Sequence, residues 1–271
     1  MNPSLHIRPP AVAGMFYPAD ADELARDIRT YLAETPATQQ ATPKALIVPH
    51  AGYIYSGAVA AHAYARLAPA RNTIRRVVLL GPAHRVPLRG LALPMAEGFA
   101  TPLGNVPIDA DGARAALKLP QVSASDVAHN LEHSLEVQVP FLQTVLDDFT
   151  LLPFAVGAAS AAQVAEVLDL LWGGPETLIL ISSDLSHFHA YATAQGIDKG
   201  TVGAILAFEP SLEHEQACGA TPINGLLLCA KRRVMQIELL DLRNSGDTAG
   251  DRSRVVGYAS FALTEQPHAR H

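Results

Sequence analysis

Three histidines follow apolar segments that predict buried β-strands, each a few residues after the strand ends. The predicted strands and their histidines are residues 45–48 with His50, 76–80 with His84, and 177–181 with His187. Ligands of open α/β sheets bind outside the carboxyl ends of the strands, so we expect these side chains to share one site. Neutral imidazoles converging in a cleft suit a divalent metal. Two histidines and one carboxylate, with positions left open, form the facial arrangement of non-haem iron enzymes.

An aspartate precedes the third of these histidines. Asp184 and His187 are three residues apart, so on one helical turn the carboxylate can orient the imidazole for acid/base work. Asp184 can equally cap a helix that begins at Leu185. The two interpretations are compatible, and both place Asp184 near the predicted site.

A second group of acids and histidines lies at residues 129–140. His129 and His133 are four apart and share a face if one helix carries both, a spacing that can bind zinc. The segment is not the HExxH motif of metalloproteases, because Glu132 directly precedes the second histidine. For His133, Glu132 and the nearby Glu136, the sequence allows either a role in supporting the pocket or a purely structural helix start.

The polar segment 244–254 predicts a long loop before the last strand. It carries two aspartates and two arginines: Asp247, Asp251, Arg252 and Arg254. Loops of this length are often functional, although a solvated surface turn explains the composition equally well. The arginines could bind an anionic substrate.

Composition excludes several classes of protein. The chain has 271 residues, of which 49% are hydrophobic, so it can bury a sizeable core. Its net charge of −6 gives no reason to expect nucleic acid or an anionic membrane as a partner. The two cysteines, Cys218 and Cys229, form no CxxC pair, and we interpret them as core residues. Without a signal-peptide core at its start, the chain is expected to be cytoplasmic with reduced thiols.

Alternation of apolar strands with amphipathic helices predicts an α/β fold. We expect a three-layer sandwich, in which helices cover both faces of a mostly parallel or mixed central sheet. No segment has the composition of a domain boundary, so residues 1–271 are expected to form one domain. Residues 1–7 and 265–271 are expected to be flexible ends.

Several motifs together resemble the Memo family, whose bacterial and archaeal members are called AmmeMemoRadiSam system protein B. The motifs are residues 13–18 (AGMFYP), 48–57 (VPHAGYIYSG), 81–84 (GPAH), 132–136 (EHSLE) and 182–187 (SSDLSH). The resemblance extends over roughly residues 8–264. It implies a fold similar to that of the class III extradiol dioxygenases, which hold ferrous iron with two histidines and a glutamate.

The resemblance also implies roles for individual residues. His50 and His84 take the two histidine-ligand positions, and His187 takes the acid/base position, with His133 beside the pocket. Animal members resemble iron or copper proteins with a cysteine as third ligand, which we expect in the loop before the last strand. That loop has no cysteine here, and Asp247 is its nearest counterpart.

The third ligand and the metal therefore stay open at this point. Thr248 and Asp251 are alternatives to Asp247, and copper or zinc are alternatives to iron. The functional hypothesis is a metal-dependent oxidoreductase of dioxygenase-like architecture. A metal-dependent hydrolase and a non-enzymatic module that binds a peptide or partner are the alternatives. The bacterial family name implies a radical-SAM protein and an AMMECR1-type protein as partners.

Overall fold

The computed structural model describes residues 6–36 and 40–266. The strands are β1 (Ile7–Arg8), β2 (Ala45–Val48), β3 (Arg76–Pro82), β4 (Leu91–Leu93), β5 (Gly98–Thr101), β6 (Gly104–Pro107), β7 (Val122–Ala124), β8 (Thr150–Val156), β9 (Thr177–Ser182), β10 (His187–His189), β11 (Gln236–Asn244) and β12 (Val255–Thr264). The helices are α1 (Ala21–Ala33), α2 (Tyr53–Ala65), α3 (Ala110–Ala116), α4 (Asp126–His129), α5 (His133–Glu136), α6 (Val139–Val145), α7 (Ala161–Leu171), α8 (Tyr191–Leu206) and α9 (Ala220–Arg232).

The central sheet is mixed, with a parallel core. Its strand order is β10-β12-β2-β9-β3-β8-β4-β7, and β11 pairs with β12. Strands β2, β9, β3 and β8 run parallel, whereas β12 and β4 are antiparallel to their neighbours β2 and β8. The carboxyl ends of β2, β9 and β3 therefore meet at one edge of the sheet, as the strand-end argument requires.

Each face of the sheet has its own hydrophobic core. Alternate residues of a strand point to opposite faces. On one face, Ile47 and Ile181 belong to the same buried cluster as apolar residues of α7 and α9. On the other face, Leu46 and Leu180 belong to a cluster shared with α1, α2 and α6. This arrangement confirms the predicted three-layer α/β fold.

The helices that cover the sheet begin where the sequence indicates. The side chain of Asp20 caps α1 by accepting a hydrogen bond from the backbone of Glu23 at 2.9 Å. Ser160 and Gln163 form a reciprocal capping box at the start of α7. Both caps satisfy backbone N–H groups that have no partner within the helix.

Parts of both chain ends predicted to be flexible are held in place. Ile7 lies in β1, which pairs parallel to β5 in a separate three-stranded sheet. Glu265 accepts a hydrogen bond from the indole of Trp172 at 2.8 Å. Each of these two residues thus has a tertiary partner far away in sequence. Residues 1–5, 37–39 and 267–271 lie outside the described part of the chain.

In the described ranges, no helix combines the length and the apolar composition that crossing a bilayer would require.

Candidate metal centre

Three histidines meet at the carboxyl edge of the parallel strands. His50, His84 and His133 each offer a ring nitrogen, and these three atoms lie within 4.8 Å of one another. The ring centroids are 5.3 Å apart for His50 and His84, 5.5 Å for His50 and His133, and 4.8 Å for His84 and His133. The predicted meeting of His50 and His84 is confirmed. This cluster could hold a metal ion.

Close packing of α5 against β3 brings His133 to the other two histidines. His50 and His84 each follow a strand by two residues, whereas His133 is the first residue of α5. The hydroxyl of Ser134 donates to the carbonyl of Pro82 at 2.9 Å. A Cβ on Gly81 would lie only 2.8 Å from that hydroxyl, so glycine is needed for the helix to come this close.

Hydrogen bonds determine which nitrogen of His50 carries its proton. The hydroxyl of Ser182 donates its only proton to the carbonyl of Ser134 at 2.6 Å, and it accepts from the amide of Gln138 at 2.8 Å. Its contact with Nδ1 of His50, at 2.9 Å, must then have the ring as the donor. Nε2 of His50 is left with a free lone pair, which is the form of imidazole that binds a metal.

Gln138 is itself oriented by buried partners. Its amide N–H also donates to the carbonyl of Pro49 at 2.9 Å, and its oxygen accepts from the hydroxyl of Tyr64 at 2.6 Å. Tyr64, Gln138, Ser182 and His50 are all at most 2% exposed. A fully satisfied buried network of this kind holds a single arrangement of protons.

Ser182→Ala is expected to release this control over the tautomer of His50. Nitrogen NMR of the metal-free variant should show a mixture of imidazole tautomers where the wild type has only the Nδ1–H form, and metal affinity should fall about tenfold. Ser186→Ala is the matched control, because the hydroxyl of Ser186 is buried without a hydrogen-bond partner among the described residues. An unchanged His50 spectrum in Ser182→Ala would contradict the assignment.

Glu132 orients His84. Its carboxylate accepts hydrogen bonds from Nδ1 of His84 at 2.9 Å, from the backbone N–H of His84 at 2.6 Å and from that of Ser134 at 2.9 Å. Burial alone would raise the pKa of Glu132, but the hydrogen bonds and charge of His84 outweigh it and lower that pKa to about 2. The ionised carboxylate thus leaves Nε2 of His84 free to bind, the usual arrangement for metal-ligating histidines.

Burial keeps two of the imidazoles, those of His50 and His133, neutral. Burial holds the pKa of His50 well below its usual value, and the neighbouring His84 and His133 lower it further. Burial likewise lowers the pKa of His133 to about 4. Neutral rings at physiological pH are the protonation state that metal binding requires.

One buried ring atom in the cluster has no hydrogen-bond partner among the described residues. Nδ1 of His133 is buried and makes no hydrogen bond to any described residue, and the nearest carboxylate oxygen, of Glu132, lies 3.5 Å away. A buried polar atom without a partner costs about 1–3 kcal/mol, so it calls for an explanation such as an ion. The donor set and this orphaned nitrogen both fit a divalent metal.

Asp184 does not hold His187. Residues 183–186 form no helix, and His187 begins strand β10, so the predicted helical turn and helix cap are both wrong. Asp184 accepts from the backbone N–H of His50 at 2.7 Å instead, and thereby anchors the turn that presents the His50 ring. Burial raises the pKa of Asp184 to about 7.

His187 lies beside the cluster of three but is not a member of it. Burial is the main cause that lowers its pKa, and the charges of His84 and His214 act in the same direction. The ring is therefore neutral near pH 7 and can accept a proton.

Asp247 is engaged elsewhere. One carboxylate oxygen accepts from the hydroxyl of Tyr191, and the other accepts from the backbone of Asn244 at 3.1 Å in a capping interaction. Asp247 thus stabilises its own loop and lies outside the histidine cluster. The third member of that cluster, beside His50 and His84, is His133.

Cys218 is buried, as its interpretation as a core residue requires, and it also reaches the site. Its sulfur lies 3.3 Å from Nε2 of His50, and burial raises the pKa of the thiol. Sequence spacing does not predict this contact, because Cys218 and His50 are 168 positions apart. The contact depends on how α9, which begins just after Cys218, packs against the sheet. The next residue approaches the same site closely, since a Cβ on Gly219 would lie 2.6 Å from the side chain of Ser183.

His129 and His133 do not share a helical face. Helix α4 ends at His129 and α5 begins at His133, so the two side chains diverge. Nε2 of His129 donates to the carbonyl of Ala92 at 2.8 Å, and its Nδ1 is buried without a hydrogen-bond partner among the described residues. The two residues therefore do not form the zinc pair that their spacing would allow on one helix, and His129 is a neutral core residue.

Stability is expected to fall in acid because His129 is buried. Burial lowers the pKa of His129 from 6.5 to about 4. Between these two pH values the imidazole is protonated in the unfolded chain but not in the folded protein. The free energy of unfolding should decrease by up to about 3 kcal/mol from this group between pH 6.5 and pH 4. Denaturant titrations at several pH values measure the free energy of unfolding, which should decrease less steeply with falling pH in His129→Gln than in the wild type. His6→Gln, a substitution at an exposed site, is the control and should match the wild type. Equal slopes for His129→Gln and the wild type would contradict this assignment.

The amino-terminal segment closes over the cluster from one side. Phe16 packs on the His133 ring with centroids 4.7 Å apart, and its carbonyl accepts from the backbone of Tyr53 at 2.8 Å. Glu136, fully buried, holds this segment by accepting from the backbone N–H groups of Ala11 and Val12 at 2.7 and 2.9 Å. Glu136 thus has the structural role that the sequence left open.

Comparisons with known proteins agree with one another. A family model described as "Memo-like protein" matches residues 8–262. A MEMO1 family protein of Methanosarcina mazei is 36% identical over 279 residues, covering 96% of this chain and 100% of the relative. One of Aquifex aeolicus is 35% identical over 266 residues, covering 94% and 98%. A solved structure of an uncharacterized protein from Escherichia coli K12 has a TM-score of 0.55 at 14% identity, covers 81% of this chain and 98% of that one, and supports the fold alone.

Proposed function

Because this chain belongs to the Memo-like family and places three imidazoles at one sheet edge, we propose that it is a metal-dependent oxidoreductase of dioxygenase-like architecture. The observation that carries the proposal is the set of three ring nitrogens within 4.8 Å, belonging to His50, His84 and His133. When bound, iron would supply Lewis acidity and open positions for a substrate and dioxygen.

The residues around the cluster have separate tasks. Ser182 and Glu132 hold Nδ1 of His50 and of His84, so Nε2 of each ring would be the atom that binds an ion. His187, neutral near pH 7, accepts a proton from the substrate. Phe16 covers the His133 ring and excludes water from that side.

Two residues compete for the position of third ligand. His133 belongs to the cluster of three and has an unpaired buried nitrogen. The sulfur of Cys218 is 3.3 Å from Nε2 of His50, close to the roughly 3.6 Å expected between nitrogen and sulfur ligands of one tetrahedral ion. Cobalt(II) distinguishes them, because only a thiolate ligand gives an intense near-ultraviolet charge-transfer band that Cys218→Ser abolishes.

Metal analysis of untagged protein tests the proposal. The wild type should retain about one iron per chain, and a His50→Ala/His84→Ala double variant should retain almost none. The iron-loaded wild type should then consume dioxygen in the presence of substrate candidates. Equal, substoichiometric iron in both proteins would rule out the metal site.

A metal-dependent hydrolase is the second candidate. The specific observation in its favour is that the cluster consists of three histidines, which is the set of protein ligands found in catalytic zinc sites that activate water. In that case His187 serves as the base for the attacking water. Turnover of an ester or amide panel under strict anaerobiosis would favour the hydrolase, and a requirement for dioxygen would exclude it.

A further inference from the structure

A cleft of about 620 Å³ opens beside the histidine cluster. Its walls are the segment after β3, the end of β8 and the start of α9. At its inner end lie Ala83, which directly precedes His84, and Cys218, whose sulfur contacts Nε2 of His50. The volume is in the range of small-molecule sites, and a molecule in the cleft would lie next to the proposed metal ligands.

The walls are mostly apolar, with one permanent charge. Pro87, Leu88, Val156 and Pro222 are among the apolar lining residues. Arg89 is the charged group, and among the described residues that line the cleft there is no aspartate or glutamate. The cleft thus offers an apolar surface and a cation.

The backbone around Arg89 is held in place at the edge of the cleft. Hydrogen bonds join the backbone on both sides of it to the end of β8, from Ala158 N–H to Leu88 O at 2.7 Å and from Gly90 N–H to Ala158 O at 2.9 Å. A Cβ on Gly157 would lie only 2.1 Å from the Leu88 carbonyl, so the two segments approach closely because this residue is glycine. Anchoring of this kind fixes the backbone position from which the Arg89 side chain extends.

The guanidinium of Arg89 has no counterion within the described part of the chain. Several other arginines of this protein are paired, such as Arg76 with Asp109 and Arg66 with Glu238, each at 2.7 Å. Arg89 is exposed where it lines the cleft, so its side chain is accessible to a ligand. A guanidinium recognises a carboxylate through two parallel N–H···O hydrogen bonds.

We propose that this cleft binds a small apolar carboxylic acid, with its carboxylate on Arg89 and its hydrocarbon body along the apolar walls toward His50. The idea that this acid is the substrate of the metal centre rests on the proposed function. The binding itself does not need the metal. The two proposals can therefore fail separately.

Calorimetric titration of the chelator-treated full-length protein with octanoate, octanamide and acetate tests the cleft. Octanoate should bind at least about tenfold more tightly than octanamide, and acetate should show no saturable binding, because both the charge and the apolar body contribute. Arg89→Gln should abolish the preference for octanoate over octanamide. Thr221→Trp, which fills the cleft at the start of α9, should abolish the binding of both.

Arg26→Gln is the matched control, since Arg26 is an exposed arginine on α1, which packs on the other face of the sheet. It should leave octanoate binding unchanged. Equal affinity for octanoate and octanamide, unaltered octanoate binding in Arg89→Gln, or no binding to the wild type would each overturn the inference. Iron content, measured separately on the same proteins, would leave the metal proposal standing in all three cases.

Discussion

Glu136→Ala is expected to lower the free energy of unfolding by about 3–5 kcal/mol, the largest effect on stability that we predict for a single substitution in this protein. Glu136 is fully buried and accepts hydrogen bonds from Arg8 at 2.6 Å, from the Tyr17 hydroxyl at 2.6 Å, and from the backbone of Ala11 and Val12. Removing the carboxylate leaves the Arg8 cation buried without its counterion, together with three unpaired donors.

Arg8 cannot easily move out to water. Its guanidinium also donates to the carbonyls of His129 at 2.9 Å and Glu132 at 2.8 Å, and it lies over the Phe99 ring at 4.7 Å from the centroid. The free energy lost on removing Glu136 is therefore expected to be close to that of a fully buried ion pair. Because this pair also anchors the segment that carries Phe16, the metal site should become more accessible to water as well.

Equilibrium unfolding in urea measures this effect. Asp111→Ala is the control, because the Arg114–Asp111 pair has similar 2.7 Å geometry but its side chains are 71% and 85% exposed. The control should change stability by less than about 1 kcal/mol. A loss of similar, small size in Glu136→Ala would show that Arg8 finds another partner or solvent, contrary to this account.

Glu132→Gln is expected to weaken metal binding by roughly 10–100-fold, the largest effect on the site from a residue that is not itself a proposed ligand. The carboxylate accepts three hydrogen bonds, two from His84 and one from Ser134. A glutamine amide of the same size has only one oxygen, so its NH₂ group must face an N–H donor. The His84 ring then loses both its orientation and the negative charge behind it.

Competition with a chromophoric chelator measures the metal affinity of this variant. Glu238→Gln is a matched control, because Glu238 pairs with Arg66 at 2.7 Å and its loss should not affect the cluster. If Glu132→Gln held the metal as tightly as Glu238→Gln, the carboxylate would have no part in orienting His84.

The strand-end histidines were predictable because they depend on local features. Continuous apolar runs indicate buried parallel strands, and such strands deliver their carboxyl ends to one edge. His50 and His84 follow directly from this argument. His187 was placed near them for the same reason, although five residues separate it from the end of β9.

The remaining parts of the site depend on tertiary packing that no spacing encodes. His133 joins the cluster because α4 and α5 are separate helices, and the spacing of His129 and His133 does not reveal this break. Cys218 lies just before α9, so its contact with His50 depends on how that helix packs against the sheet. Asp247 has the right chemistry for a ligand, but Tyr191 and the Asn244 backbone already use its carboxylate.

Anomalous diffraction from crystals of the iron-loaded protein, collected across the iron absorption edge, tests the central claim most directly. The account predicts one iron peak within bonding distance of Nε2 of His50 and Nε2 of His84, with His133 or Cys218 as a further ligand. An iron peak at another location, or none at these nitrogens in crystals of protein that carries one iron per chain, would contradict it.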